Sequence, residues 1–109
     1  MDKYLKIAEE NLEAYKDRYT LVKYSSSEAA AGFDDDTFDF VLIDGDHSYE
    51  ATLADCEAYY PFLKKGGFFC GHDYSSIDAV YRAVNDFREK NKISSPINLS
   101  TNSTFFWYK

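Results

Sequence analysis

The stretch from Phe38 to Glu50, FDFVLIDGDHSYE, constrains this chain most, because an unbroken apolar run passes directly into a cluster of acids and a histidine. Phe38, Phe40, Val41, Leu42 and Ile43 leave no polar face. A short run rich in aromatic and β-branched residues reads as a parallel strand covered on both sides, and therefore as a central one. Asp44, Gly45, Asp46 and His47 follow at its carboxyl end, where open α/β sheets place their ligand crevices.

The 109 residues form one domain, 1–109, near the lower limit for a sheet layered with helices. A hydrophobic share of 45%, with 18% aromatic, suffices for a core, so disorder is excluded. The net charge of −7 argues against a nucleic-acid partner, which Lys and Arg would have to hold by its phosphates. No apolar run approaches the roughly 20 residues of a membrane span, and the opening MDKYLKIAEEN is amphipathic rather than signal-like. The expectation is a cytoplasmic protein with no membrane partner. Cys56 and Cys70 each lie in an apolar-patterned segment, which favours two buried thiols over a disulfide or a metal pair.

Tyr4, Leu5, Ala8, Leu12 and Tyr15 recur at helical spacing, predicting an amphipathic helix over 2–17. Thr20–Tyr24 (TLVKY) is β-prone and reads as a strand. Ser25, Ser26 and Ser27 then cap a short helix through Glu28–Ala31, which Gly32 can stop. Ser48 to about Phe62 is helical, with Tyr49, Leu53, Cys56 and Tyr60 on one stripe and Asp55 turned away. Pro61 and the KKGG turn close it. Phe68–Gly71 (FFCG) is a second apolar strand, and it too ends in polar residues, His72, Asp73 and Tyr74. Ser75 with Asp78 suggests a capping-box start for a helix that buries Val80, Ala83, Val84 and Phe87. INLS and TFFWYK around Thr101–Ser103 suggest a closing antiparallel hairpin. This alternation belongs to an α/β domain with a mainly parallel sheet. Right-handed crossovers would then collect Ser25–Ser27, Asp44–His47 and His72–Tyr74 along one rim.

Asp44 and Asp46 would repel each other unless a cation or hydrogen-bond donors lay between them. Asp44 or Asp46, with His72 and Asp73, makes an oxygen-rich set with one imidazole, suited to magnesium or manganese. His47 is a candidate general base, since its ordinary pKa lies near neutrality. The plainer alternative is that these acids cap the helix that follows.

IDGDHSYE, LKKGG, GHDY and AVYRAVNDF together resemble the latter part of the class I S-adenosylmethionine-dependent methyltransferase fold. The likeness is to the group of sugar and macrolide O-methyltransferases, and it implies a three-layer Rossmann-like architecture. The resemblance further implies that Asp44 or Asp46 with His72 and Asp73 hold a divalent cation. It makes His47, with Asp46, the proton-handling candidates, and it places Ser26, Ser27, Asp44 and Gly45 beside S-adenosylmethionine. The acceptor would be a small-molecule or sugar hydroxyl.

Such folds open with a strand ending in a glycine-rich turn, followed by a strand ending in an acid for the ribose. This sequence contains no Gly-x-Gly. The fold is therefore expected to be truncated at its N-terminal side, leaving an edge of the FDFVLI strand to be covered. TLVKY moving beside it, a second copy in a homodimer, or a missing N-terminal segment would serve. Two functions follow: an O-methyltransferase, or a non-catalytic fragment that acts as an assembly module.

Overall fold

The computed structural model describes residues 2–109. Four strands, β1 (Phe38–Ile43), β2 (Leu63–Gly71), β3 (Asn98–Ser100) and β4 (Thr104–Tyr108), form one sheet in the order β1-β2-β4-β3. The β1/β2 pair is parallel, while β2/β4 and β4/β3 are antiparallel. The α/β class and the closing hairpin are as expected, with the parallel part reduced to a single pair.

Because strand residues alternate between faces, the register decides the core. Val41 lies opposite Phe69, and Phe69 opposite Trp107. With Ile43 and Phe105 they form one face, buried beneath the helices α3 (Tyr49–Tyr59) and α4 (Asp78–Lys90), which pack together. Cys56, Val80, Val84 and Phe87 complete this core. Trp107 is fully enclosed, with Phe69 4.9 Å from its ring and the Arg88 guanidinium 4.6 Å above it.

The other face carries Phe40, Leu42, Phe68, Phe106 and Tyr108. Phe40 is 63% exposed and Leu42 55%. The FDFVLI strand is thus neither central nor covered on both sides. It is an edge strand, and the second helical layer expected on that face does not cover it. Its apolar run marks what the strand can bury rather than what this chain buries.

TLVKY forms no strand. Leu21, Val22 and Tyr24 are exposed, and Ser25 instead caps α2 (Ser26–Ala30) through a capping box with Glu28. An extended segment gains its backbone hydrogen bonds only from a paired neighbour, and TLVKY does not reach the open edge of β1. The first helix, α1, runs Asp2–Leu12 and continues as a 3-10 turn over Glu13–Tyr15. The KKGG segment is not a free turn but the first half of β2, irregular in register opposite Phe38–Phe40, with Gly66 at φ +85°. Nor does Ser75 cap α4. Its amide and that of Ser76 donate to Ser103 Oγ at 2.6 and 2.9 Å, and Ile77 precedes the helix without a side-chain cap.

Gly71, opposite Ile43, is required by close approach. A Cβ there would overlap the Phe105 ring and lie 2.8 Å from the Ile43 carbonyl oxygen. No helix among the described residues is long and apolar enough to cross a membrane.

Trp107→Ala is expected to lower the unfolding free energy by about 3–5 kcal/mol in urea melts, and a loss below about 1 kcal/mol would contradict a core centred on that ring. Both cysteines are free and buried, and burial, aided by the charges of Asp55 and Glu57, pushes the Cys56 thiol up to about 12. Ellman's reagent should therefore label neither thiol faster than the protein unfolds.

Candidate functional site

Two strand ends build the site. Ile43 pairs with Gly71, and the His72 amide donates to the Ile43 carbonyl at 3.2 Å, so Asp44 and the His72–Asp73 pair emerge side by side. Asp73 then turns the chain through the left-handed region at φ +64°, where Asp and Asn are the commonest non-glycine residues. Its carbonyl accepts from the Ile77 amide at 3.1 Å, and the Tyr74 amide donates to the Ser103 carbonyl at 3.0 Å. The polypeptide is fixed on both sides of the carboxylate.

That carboxylate is the hub. Asp73 Oδ2 lies 2.8 Å from His47 Nε2, while Oδ1 lies 3.1 Å from His72 Nδ1 and accepts from the Ser76 hydroxyl at 3.1 Å. Asp44 Oδ1 stands 3.8 Å from His47 Nε2. One ligand atom each from Asp44, His47 and Asp73 thus falls within a 4.8 Å triangle. Partial desolvation pushes the Asp73 carboxyl upward. The hydrogen bonds from His72 and Ser76 and the two imidazoles outweigh it, and the net shift is downward.

Beside the triangle lies a cavity of about 240 Å³, lined by Ser26, Asp44, Gly45, Asp55 and Tyr59 together with Val41, Leu42 and Ile43 of β1. The Tyr59 hydroxyl donates to the Ser26 carbonyl at 2.7 Å and ties α2 to α3.

A family model described as a methyltransferase domain matches residues 2–74. The chain belongs to this family. Over 67 residues it is 40% identical to the 8-demethyl-8-(2,3-dimethoxy-alpha-L-rhamnosyl)-tetracenomycin-C 4'-O-methyltransferase of Streptomyces olivaceus, covering 62% of this chain and 25% of that protein. Over 36 residues it is 42% identical to an uncharacterized protein of Acanthamoeba polyphaga mimivirus, covering 33% of this chain and 16% of the other. The chain spans a quarter or less of the curated relatives it matches. In three dimensions it is similar to the O-methyltransferase NovP (TM-score 0.57, 23% identity, 65% of this chain, 30% of that one). All of it also superposes on 57% of a Corynebacterium glutamicum protein of solved structure (TM-score 0.66, 14% identity). These two likenesses show the fold, which together with the family match is that of a class I methyltransferase-like domain.

In this methyltransferase domain the expected site residues separate. Asp44 and Asp73 come together as the sequence suggested, with His47 as third member. Asp46 does not join them: its Oδ1 accepts the Ser48 amide at 2.8 Å, and Ser48 Oγ accepts the Ala51 amide at 3.2 Å. Those bonds from Ser48 hold the Asp46 carboxyl below its ordinary range. Asp46 is thus held at the helix entry by Ser48, the N-cap residue, and of the two acids Asp44 is the one that lies in the triangle. His72 touches Asp73 without entering the triangle. Ser26, Asp44 and Gly45 share the cavity lining, and Ser27 is not part of it.

Asp55 was expected to face away, yet it lines the cavity. A Cβ on Gly45 would lie 3.4 Å from Asp55 Oδ2. Burial raises the Asp55 pKa, a hydrogen bond with Ser26 opposes this, and the charge of Asp46 adds to it. The signal was in the sequence. Thr52, Asp55, Cys56 and Tyr59 form an i, i+3, i+4, i+7 stripe, and Thr52 and Cys56 on it are buried.

The lowered Asp73 pKa fixes a sign. Its stabilising contribution is complete above the ordinary value of 3.8 and is lost as pH falls through the lower native value. Asp73→Asn should therefore flatten the acid limb of a stability–pH curve below about pH 4. Denaturant melts across that range check this, and parallel limbs in the two proteins would contradict it.

Proposed function

We propose that this domain serves S-adenosylmethionine-dependent O-methylation of a small-molecule hydroxyl, with Asp44, His47 and Asp73 on the acceptor side. The observation that carries the reading is the three-atom triangle at the ends of two paired parallel strands. That place is where open α/β sheets bind their ligands. The match to a methyltransferase family and the 40% identity to an O-methyltransferase support the reaction class.

The triangle suits a small hard cation. Asp44, His47 and Asp73 would hold it through one ligand atom each, all within 4.8 Å of one another. Such an ion would supply Lewis acidity to lower the pKa of an acceptor hydroxyl. The protein groups also serve without it. Asp73 holds the His47 imidazole by Nε2, which leaves Nδ1 to take the acceptor's proton.

S-adenosylmethionine supplies the electrophilic methyl group. The cavity of about 240 Å³ falls below the roughly 300–1,000 Å³ of complete small-ligand sites. With no glycine-rich turn in the sequence, these residues fit one end of the cofactor, the adenosyl end nearest Ser26. Walls for the remainder would come from polypeptide beyond these residues or from a partner chain.

Manganese binding followed by electron paramagnetic resonance tests the triangle. Asp44→Ala and Asp73→Ala are each expected to weaken binding by about tenfold or more, and equal binding by wild type and both variants would end the cation reading. Titration calorimetry with S-adenosylhomocysteine tests the cofactor crevice, and no heat at millimolar ligand would remove the enzymatic reading for this chain. Exposed Phe40 and Leu42 on an edge strand favour a second reading, an assembly module completed by strand pairing. Light scattering on a sizing column addresses it, and a strict monomer would count against pairing between copies.

A further inference from the structure

We infer that Ser103, at the tip of the closing hairpin, is the positioning residue of the triangle, holding the 73–76 turn so that the Asp73 carboxylate meets His47. This rests on the reading that Asp44, His47 and Asp73 form the reactive centre.

Five non-glycine residues among the described ones have positive φ, and three of them meet here: Asp73 (+64°), Asn102 (+61°) and Ser103 (+65°). Left-handed backbone persists at such residues only where the surroundings enforce it, and it clusters at functional sites. Asp and Asn adopt that region more readily than other residues, whereas serine has no such ease. Hydrogen bonds hold Ser103 there instead. Its Oγ accepts from the Ser75 and Ser76 amides at 2.6 and 2.9 Å, and its carbonyl accepts from the Tyr74 amide at 3.0 Å. Three consecutive amides thus end on one residue. A serine oxygen has two lone pairs, and both are used.

Ser76 carries this hold to the carboxylate. Its hydroxyl donates to Asp73 Oδ1 at 3.1 Å, which leaves Oδ2 to His47 Nε2 at 2.8 Å. The rotation of the carboxylate therefore follows the place of Ser76, and Ser103 sets that place. Tyr74 anchors the same turn elsewhere: its ring lies 5.6 Å from Phe105 and its hydroxyl accepts from Asn85, so the core fixes the chain beside Asp73 but not the carboxylate. The hairpin gives the triangle no ligand atom of its own, and its part is to aim one.

Three substitutions separate aiming from mere stabilisation. Ser103→Ala removes the hydroxyl and keeps the backbone strain, Ser103→Gly removes both, and Ser103→Thr keeps the hydroxyl while its branched side chain adds strain. Ring-nitrogen chemical shifts of His47, measured without metal at one neutral pH, report whether Asp73 still holds the imidazole, and manganese titration by electron paramagnetic resonance reports the affinity. Ser103→Ala and Ser103→Gly should both move the His47 shifts and weaken manganese about tenfold, although the glycine variant melts above the alanine one. Ser103→Thr should melt below wild type yet keep its shifts and its affinity. Affinity that simply follows melting temperature across the four proteins, or His47 shifts unchanged in the alanine and glycine variants, would overturn the role of Ser103. A wild type that binds no manganese would end the cation reading, and the His47 shifts would still decide whether Ser103 aims Asp73.

Discussion

The parallel pairing of β1 with β2 at Ile43 and Gly71 is the contact on which the rest of this structure depends. It brings two chain segments, 29 residues apart at His72 and Ile43, within one backbone hydrogen bond of each other. Everything chemically interesting is then a short extension from that bond. Asp44 continues one strand, His72 and Asp73 continue the other, and the α3 entry returns His47 over both. The core beneath exists to hold this alignment. Phe69 of β2 packs on Trp107 of β4 beneath the helices, and Arg88, over the Trp107 ring, donates to the Ser95 carbonyl and anchors the loop that leads into the hairpin.

Much of this was legible in the sequence, because the apolar runs and the acids that end them are local signals. The helical stripe of Val80, Val84 and Phe87, the serine cap before Glu28 and the closing hairpin all follow from spacing alone. What spacing could not supply was partnership. FDFVLI looks like a strand with neighbours on both sides, and only the sheet order shows one side open. TLVKY has the composition of a strand, yet it joins no strand of the sheet. The KKGG segment carries turn residues, yet tertiary pairing with β1 draws it into the ladder. In the site, the sequence proposed three acids and two histidines, and backbone geometry sorted them. The Ser48 amide claimed Asp46, and the left-handed turn at Asp73 presented its carboxylate to both imidazoles.

The open face and the site are two aspects of one arrangement. β1 buries Val41 and Ile43 on one side and shows Phe40 and Leu42 on the other, so the strand that ends in the catalytic candidates is also the one least covered. Local opening is easiest where packing is one-sided. Any partner surface that pairs with β1 would therefore stiffen Asp44 and Gly45 directly, through the strand itself.

Gly71 ties two properties of the fold to one position. The Phe105 ring and the Ile43 carbonyl occupy the space a methyl group would need there. The smallest possible side chain would wedge the two strands apart at the point from which His72 and Asp73 depart. Sheet packing and the alignment of the acidic triangle are therefore tied to one position, and changes in the turns or on the exposed face leave that tie untouched.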